Sequence, residues 1–314
     1  FGSSQTTLCT VRMAASSGAT LCRIPHYLAL RVGQSELLKV FFKLECGGLA
    51  ETVLMQTPHL VDGKQQVRNT VCVSSQLGCR RSCSHCASGP RPFNRDLSCS
   101  EILGQVAAFA VDKEIHQVVF QGVGEPLDNA AVAHAASYMH SSFSELCCTC
   151  DDCQETGNRN AAPPLTSVAT AGTVKGIERL FESSPGTHLM ISVMPELDRP
   201  ESLDTILRCT DDWAKQTKLP VVLSYTMIDG LDTAAHAERL QRYMEKRLAS
   251  HLVYLIQYHQ NLDGNGESCG AAKPSTIQAI RTFSEHLQHT GCTVGFGQYC
   301  QYPLELAEQH TRRW

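Results

Sequence analysis

The chain has 314 residues, 42 % of them apolar and 18 % charged, with a formal net charge of −4, which makes it a globular protein large enough for one big domain or two small ones. There is no overall basic signature, so any RNA contact has to rest on local patches, and no apolar run reaches the length of a membrane span. Sixteen cysteines in a chain this long, with no secretory signal, point to reduced thiols and metal ligation rather than a disulfide framework.

Residues 1–36 read as an acid-poor tail: no Asp or Glu occurs from Phe1 to Ser35, while Arg12, Arg23 and Arg31 lie among Ser, Thr and Ala. Remains of an organellar transit segment and a merely disordered terminus share that composition; the first makes a mitochondrial location the expectation, with the cytoplasm otherwise. Residues 37–70 read as N-terminal strands and a hairpin, TPHLVDGKQQV from Thr57 to Val67, with Asp62-Gly63 at the tip. Val71-Cys72-Val73 is a short buried strand leading into a tight loop, Leu77 to Cys86.

From there strands and helices alternate. Cys99 to Lys113 reads as a helix, with Ser98 as N-cap and Glu101 completing a capping box. Gln117–Phe120 is a strand running into the turn Gly122-Val123-Gly124-Glu125-Pro126, and Asn129–Met139 a helix. Next come strand Ser167–Thr170, helix Val174–Phe181, strand Leu189–Val193, helix Glu201–Lys215, strand Val221–Tyr225 and helix Ala234–Arg247. Strand Leu252–Tyr258, helix Ser275–His289 and strand Thr293–Tyr299 close the series. About six βα units call for parallel strands in an open or closed α/β barrel over residues 71–314, with chemistry at the strand C-terminal ends. The triplet, the Gly-Glu-Pro turn, Ser192 and His259 all fall at such ends. Residues 140–165 break the rhythm as a cysteine-rich insertion, where Cys147, Cys148, Cys150 and Cys153 crowd into seven residues; an exposed insertion is the expectation there, a zinc or copper site the alternative.

Cys79, Cys83 and Cys86 form a C-x3-C-x2-C triplet. Three thiolates at this spacing suit three irons of a [4Fe–4S] cluster, the fourth iron being left for a small molecule. A closed Cys3His zinc site with His85, a disulfide plus one spare thiol, and scattered buried thiols are the other readings of the same residues.

The triplet and its flanks resemble the radical SAM adenine-C2 RNA methyltransferases, the RlmN/Cfr family. The matching segments are Glu51-Thr52-Val53, Val71 through Cys86, Phe93-Asn94-Arg95, Ser100 through Val106, and Gly122 through Leu127 with Asn129. The resemblance implies a partial (β/α)6 barrel behind a short N-terminal β extension, a [4Fe–4S] cluster, S-adenosylmethionine, and methylation of an adenine in ribosomal RNA or tRNA. It implies that Cys79, Cys83 and Cys86 hold the cluster and that Cys72 is the cysteine that resolves the protein–RNA adduct. Glu51 matches the family's proton acceptor, although an insertion separates it from Cys72. Gly124 and Glu125 match the turn that meets the SAM ammonium, Ser192 matches a further SAM-contact position, and His259 falls at another where the family has a different residue.

Other positions depart from the family. Ala169 stands for a SAM-contacting serine, Met194 for a histidine and His259 for an asparagine, and an ungapped alignment puts Glu308 where the methyl-carrying cysteine belongs. A carboxylate does not replace that thiolate, and Cys300, eight residues earlier, serves only on a rebuilt loop. The sequence therefore favours a cluster-binding, non-methylating factor associated with ribosomal RNA or a ribosome assembly intermediate. The alternative is an active rRNA or tRNA adenine-C2 methyltransferase with a displaced carrier. Arg80, Arg81, Arg91, Arg95 and Arg312-Arg313 are the phosphate-contact candidates.

Overall fold

The computed structural model describes residues 10–12, 20–32, 35–46, 48–61, 63–86, 88–89, 91–110, 113–146, 162–195, 197, 199–258 and 272–296. The chain divides into two compact units, residues 1–80, 91–169 and 178–187 in the first and residues 81–90, 170–177 and 188–314 in the second.

The first unit begins with antiparallel strands β1 (Thr10–Arg12), β2 (Thr20–Val32), β3 (Ser35–Lys43), β4 (Leu49–Val61) and β5 (Lys64–Val73), each paired with the next. Two of these lie in the stretch read as a tail: ladder pairing with β3 satisfies the main-chain groups of β2, which composition alone does not reveal. The hairpin between β4 and β5 turns where the sequence places it, and Gly63 takes φ +75° at its tip.

The connectivity then changes. β5 pairs in parallel with β8 (Gln117–Phe120), and β8 with β9 (Leu165–Thr170). A short antiparallel pair, β6 (Gln76–Leu77) with β7 (Arg95–Asp96), closes the loop after β5. Helix α1 (Cys99–Ala110) follows β7 and α2 (Ala131–Ser141) follows β8. The capping box is made in both directions, Ser98 N–H to Glu101 at 2.8 Å and Glu101 N–H to Ser98 Oγ at 3.2 Å. Val40, Phe42, Leu54, Val71, Ile102, Val106, Val118 and Phe120 are buried, and Phe42 meets Phe109 edge-on at 6.5 Å.

Helix α3 (Val174–Ser183) follows β9, and in the second unit four parallel strands, β10 (His188–Ser192), β11 (Val221–Met227), β12 (His251–Gln257) and β13 (Val294–Phe296), pair in that order. Helices α4 (Leu203–Thr217), α5 (Ala234–Met244) and α6 (Ile277–His289) connect them. Six βα units thus succeed one another among the described residues, as the alternation of apolar runs and capped helices implies. Ser202 caps α4 through the Thr205 N–H and Thr276 caps α6 through the Ala279 N–H. Leu189, Ile191, Ile206, Trp213, Leu223 and Leu255 are buried, and Tyr225 stacks on Phe283 at 5.2 Å.

At the start of β12, His251 is fully enclosed. Thr210 Oγ1 lies 3.0 Å from Nε2 and Ser250 Oγ 2.9 Å from Nδ1, while Asp211, 3.8 Å away, is taken up by a bidentate pair with Arg247. Burial, with a lesser push from Arg247, outweighs Asp211 and lowers the imidazole to about 4. The unfolded chain therefore takes up a proton below pH 6.5 that the folded chain refuses until about 4. Stability falls across that window, by about 3 kcal/mol at full extent. Thermal unfolding followed between these pH values should show the loss in the native protein and a flatter profile in His251→Gln; equal slopes in the two would contradict the assignment.

Candidate functional site

The end of β5 is held by a set of buried amides and hydroxyls. Gln105 on α1, fully buried, accepts from Thr52 Oγ1 at 2.7 Å and from the Ser74 N–H at 2.9 Å, and donates to the Ser74 carbonyl at 3.0 Å. Ser74 Oγ donates to the Glu51 carbonyl and accepts the Val123 N–H at 2.9 Å. Gln76 accepts the Glu125 N–H at 2.9 Å and donates to Asp96 at 2.8 Å. Asn129 donates to the carbonyls of Ser75 and Leu97, at 2.7 and 2.8 Å. Ser74-Ser75-Gln76, Gln105 and Asn129 are thus what fixes the β5 end and the Gly-Glu-Pro turn in space, a role that motif matching registers without explaining.

Glu51 lies on β4, level with the residues just past β5, and Cys72 pairs with Val53 on the same strand. The Glu51 carboxylate is clamped by Lys39 Nζ at 2.7 Å and Arg91 Nη1 at 3.0 Å. Burial works against ionisation there, but the two cations prevail and hold the carboxyl below its ordinary value. Burial pushes the Cys72 thiol the other way, up to about 12; the Glu51 charge adds to this and a main-chain contact from Gln121 opposes it. As they stand, Glu51 is a charged, weak base and Cys72 a protonated thiol, the latter opposite Val53, two residues along β4 from Glu51.

Past β6, the loop to the triplet depends on two glycines. Gly78 has φ +73°, and a Cβ there would stand 2.0 Å from the Pro92 carbonyl oxygen. The next residue, Cys79, donates its N–H to the Arg91 carbonyl at 3.3 Å. In the second unit, Cys86 N–H reaches the Cys83 carbonyl at 3.1 Å, Gly89 N–H reaches the Cys86 carbonyl at 2.9 Å, and Ser88 N–H points at Cys86 Sγ at 3.4 Å. A Cβ on Gly89 would lie 2.1 Å from the Cys83 carbonyl oxygen. All three thiols are half-buried. Soft sulfur donors in tight turns with an N–H aimed at one sulfur fit an iron–sulfur cluster. Among the described residues no three His, Cys, Asp or Glu side chains already converge as a metal site.

The turn expected to meet the SAM ammonium is tightly packed. Gly124 has φ +108°, where a Cβ would come within 2.6 Å of Gln76 Cβ. Glu125 is buried, and its Oε1 accepts the Leu127 N–H at 3.1 Å, capping a 3₁₀ turn over Pro126–Asp128. A buried carboxylate at a glycine-lined strand end suits an ammonium ligand. In the second unit, Ser192 ends β10 and its carbonyl accepts from Arg199, whose guanidinium also reaches the carbonyls of Ala171, Met194 and Leu197. Arg199 escapes sequence reasoning because no motif marks a cation whose partners are main-chain carbonyls. Met194, standing where the family has a histidine, is fully buried, and its sulfur accepts the Thr226 N–H at 3.2 Å.

Three arginines read as phosphate contacts are otherwise engaged. Arg80 pairs with Asp96 at 3.2 Å and covers the Phe93 ring at 3.7 Å, Arg91 holds Glu51, and Arg95 pairs with Glu101 at 2.7 Å and donates to Cys46 Sγ at 3.0 Å. Carboxylates six to forty positions away in sequence neutralise them, so this part of the first unit is less cationic than its composition suggests. His259, Cys300, Glu308, Arg312-Arg313 and the four cysteines at 147–153 lie outside the described residues.

No family model matches the chain. It is 30 % identical over 259 residues to a probable dual-specificity RNA methyltransferase, RlmN 2, of Protochlamydia amoebophila, covering 76 % of this chain and 65 % of that protein, just under two thirds of its length. It is also 30 % identical over 278 residues to the dual-specificity RNA methyltransferase RlmN of Pelobacter propionicus, covering 85 % and 72 %. Among solved structures, a radical SAM methyltransferase from Sphaerobacter thermophilus superposes with a TM-score of 0.66 at 24 % identity, over 86 % of this chain and 76 % of that one. The fold is the α/β partial (β/α)6 radical SAM barrel that the alternation of elements implies.

Proposed function

Because the chain belongs to the RlmN family of radical SAM RNA methyltransferases, we propose that it methylates an adenine of ribosomal RNA or tRNA. The family's cofactors are a [4Fe–4S] cluster and S-adenosylmethionine, which when bound supply an electron and a primary radical for hydrogen abstraction. Cys79, Cys83 and Cys86 would hold the first, and Gly124 and Glu125 would meet the second. The observation that carries the reading is the placing of Cys72 on β5 and Glu51 on β4 beside the C-terminal end of β5, which Ser74 and Gln105 anchor. The Glu51 carboxylate carries a desolvation cost that Lys39 and Arg91 offset, whereas the neutral Cys72 thiol is buried at no such cost.

Within this reading the protein's own residues do three things. Lys39 and Arg91 keep Glu51 charged and oriented. The protonated Cys72 stays unreactive towards oxidants and electrophiles until substrate arrives. The Ser74 hub holds both at fixed spacing, which is what orientation contributes to such a reaction. Glu308 at the carrier position supports a second reading, a non-methylating factor bound to ribosomal RNA or an assembly intermediate.

The test is anaerobic reconstitution with SAM and reductant, using protein-free large-subunit ribosomal RNA and bulk tRNA. Formation of 5′-deoxyadenosine together with methylated RNA is expected, and Cys72→Ala should stop release of methylated product while deoxyadenosine still forms. Neither product from the native protein would favour the non-methylating factor. Methylation that survives Cys300→Ala would rule out Cys300 as the displaced carrier.

A further inference from the structure

The β4–β5 hairpin extends past its neighbours. β3 accompanies β4 only to the pair Glu36↔Gln56, and β8 accompanies β5 only from Thr70. Residues 57–68 therefore form a two-stranded ribbon, from Thr57↔Arg68 to Val61↔Lys64, with no further strand on either edge among the described residues. It falls between Glu51 and Cys72.

Residues directly opposed in an antiparallel pair share a face, and faces alternate along each strand. Lys64, Gln66 and Arg68, with His59 and Thr57 opposite, make one face; Gln65 and Val67, with Leu60 and Pro58 opposite, make the other. The run from Lys64 to Arg68 is exposed throughout. Lys64 and Arg68 have no ion-pair partner among the described residues, in contrast to Arg80, Arg91 and Arg95. They project from one face about 13 Å apart, with the Gln66 amide between them. One carboxylate, Asp62, occurs in the whole stretch.

We propose that the Lys64–Gln66–Arg68 face is a docking arm for the phosphate backbone of the structured RNA whose base is modified at the strand ends; this rests on the RNA methyltransferase reading. The chemistry matches a phosphate track. Unpaired cations at strand spacing, a side-chain amide and main-chain N–H groups on open edges are the donors that phosphates take, and they position RNA without reading its sequence. A double-stranded RNA stem offers mainly backbone and 2′-hydroxyl groups to such a surface. Lys64 lies nine residues from the end of β5 at Val73, about 30 Å along the strand, so the arm engages a folded RNA and not a short oligonucleotide.

The experiment is a fluorescence-anisotropy titration of a labelled stem-loop fragment of large-subunit ribosomal RNA, and of tRNA, over a range of salt concentrations. The native protein is compared with a Lys64→Gln/Arg68→Gln double variant and with Leu60→Ser/Val67→Ser on the opposite face. Removing two phosphate contacts should weaken binding about tenfold and reduce the slope of log Kd against log salt by about 1.4 to 1.8, with unchanged thermal unfolding. The opposite-face variant should bind like the native protein. Native affinity and slope in the Gln variant would overturn the arm, and so would a loss confined to the Leu60/Val67 variant, which would put the RNA on the opposite face of the ribbon. No salt-dependent binding of either RNA by the native protein would overturn the RNA reading itself.

Discussion

Gly78→Ala should yield a protein that folds but carries little iron after anaerobic reconstitution. The substitution acts twice. A Cβ at φ +73° costs about 1–2 kcal/mol from the left-handed backbone alone. It would also stand 2.0 Å from the Pro92 oxygen and 2.9 Å from Phe93 Cα, main-chain atoms that cannot swing aside. The relief available is to open the strip where Asn94 N–H meets the Leu77 carbonyl and Cys79 N–H meets the Arg91 carbonyl. Opening it releases Cys79 from its place, and on the proposed ligand set of Cys79, Cys83 and Cys86 the loss of one thiolate should empty the cluster site. Gly63→Ala is the control, because Gly63 has a similar φ of +75° but nothing within 4 Å of its Cβ. It should lose roughly 1 kcal/mol of stability and no iron. Iron per chain, cluster absorbance and thermal unfolding on both variants decide the matter; native iron content in Gly78→Ala would show that the loop does not need this backbone.

The contrast between what the sequence reveals and what it hides follows the physics of each feature. Parallel strands such as Gln117–Phe120 and Val221–Met227 are short, nearly continuous apolar runs, and the helices between them carry their own stop and start chemistry, as Ser98 with Glu101 shows. Those are local signals. The strand β2 is different, because its stability comes from a ladder with β3 that composition does not encode. Cationic residues mislead for a related reason. Arg91 and Glu51 are forty positions apart, so nothing local says that the arginine clamps a carboxylate instead of meeting phosphate. Lys64 and Arg68, without an ion-pair partner among the described residues, lie instead on the ribbon, in a stretch that reads as an ordinary hairpin. The triplet at Cys79, Cys83 and Cys86 stands out in the sequence because ligand spacing is itself local, whereas the residues that fix the end of β5 are scattered over α1, the Gly-Glu-Pro turn and Asn129.

Gln105 makes that dependence measurable. It is the one side chain that accepts from Thr52 and from the Ser74 main chain while donating back to Ser74, all inside a dry core. Gln105→Leu keeps the volume and removes every partner at once. It strands the Ser74 N–H, the Ser74 carbonyl and the Thr52 hydroxyl, at about 1–3 kcal/mol per buried group. A loss of roughly 3–6 kcal/mol is expected, a large share of a typical domain's stability. Because Ser74 Oγ supports the Glu51 carbonyl, the proposed methyl transfer should fall further than the folded fraction does. Gln105→Glu separates the hydrogen-bond account from simple packing. Its neutral carboxylic acid offers one acceptor oxygen and one donor in place of the amide, while its ionised form cannot donate and is buried without a cation. Relative to the native protein at the same pH, the Glu variant should therefore regain stability as pH falls and the acid takes up its proton. The ratio to native is essential, since His251 lowers the stability of both proteins over part of that range. A Glu variant whose deficit is the same at every pH, or a Leu variant as stable as the native chain, would show that the amide network is not what holds the β5 end in place.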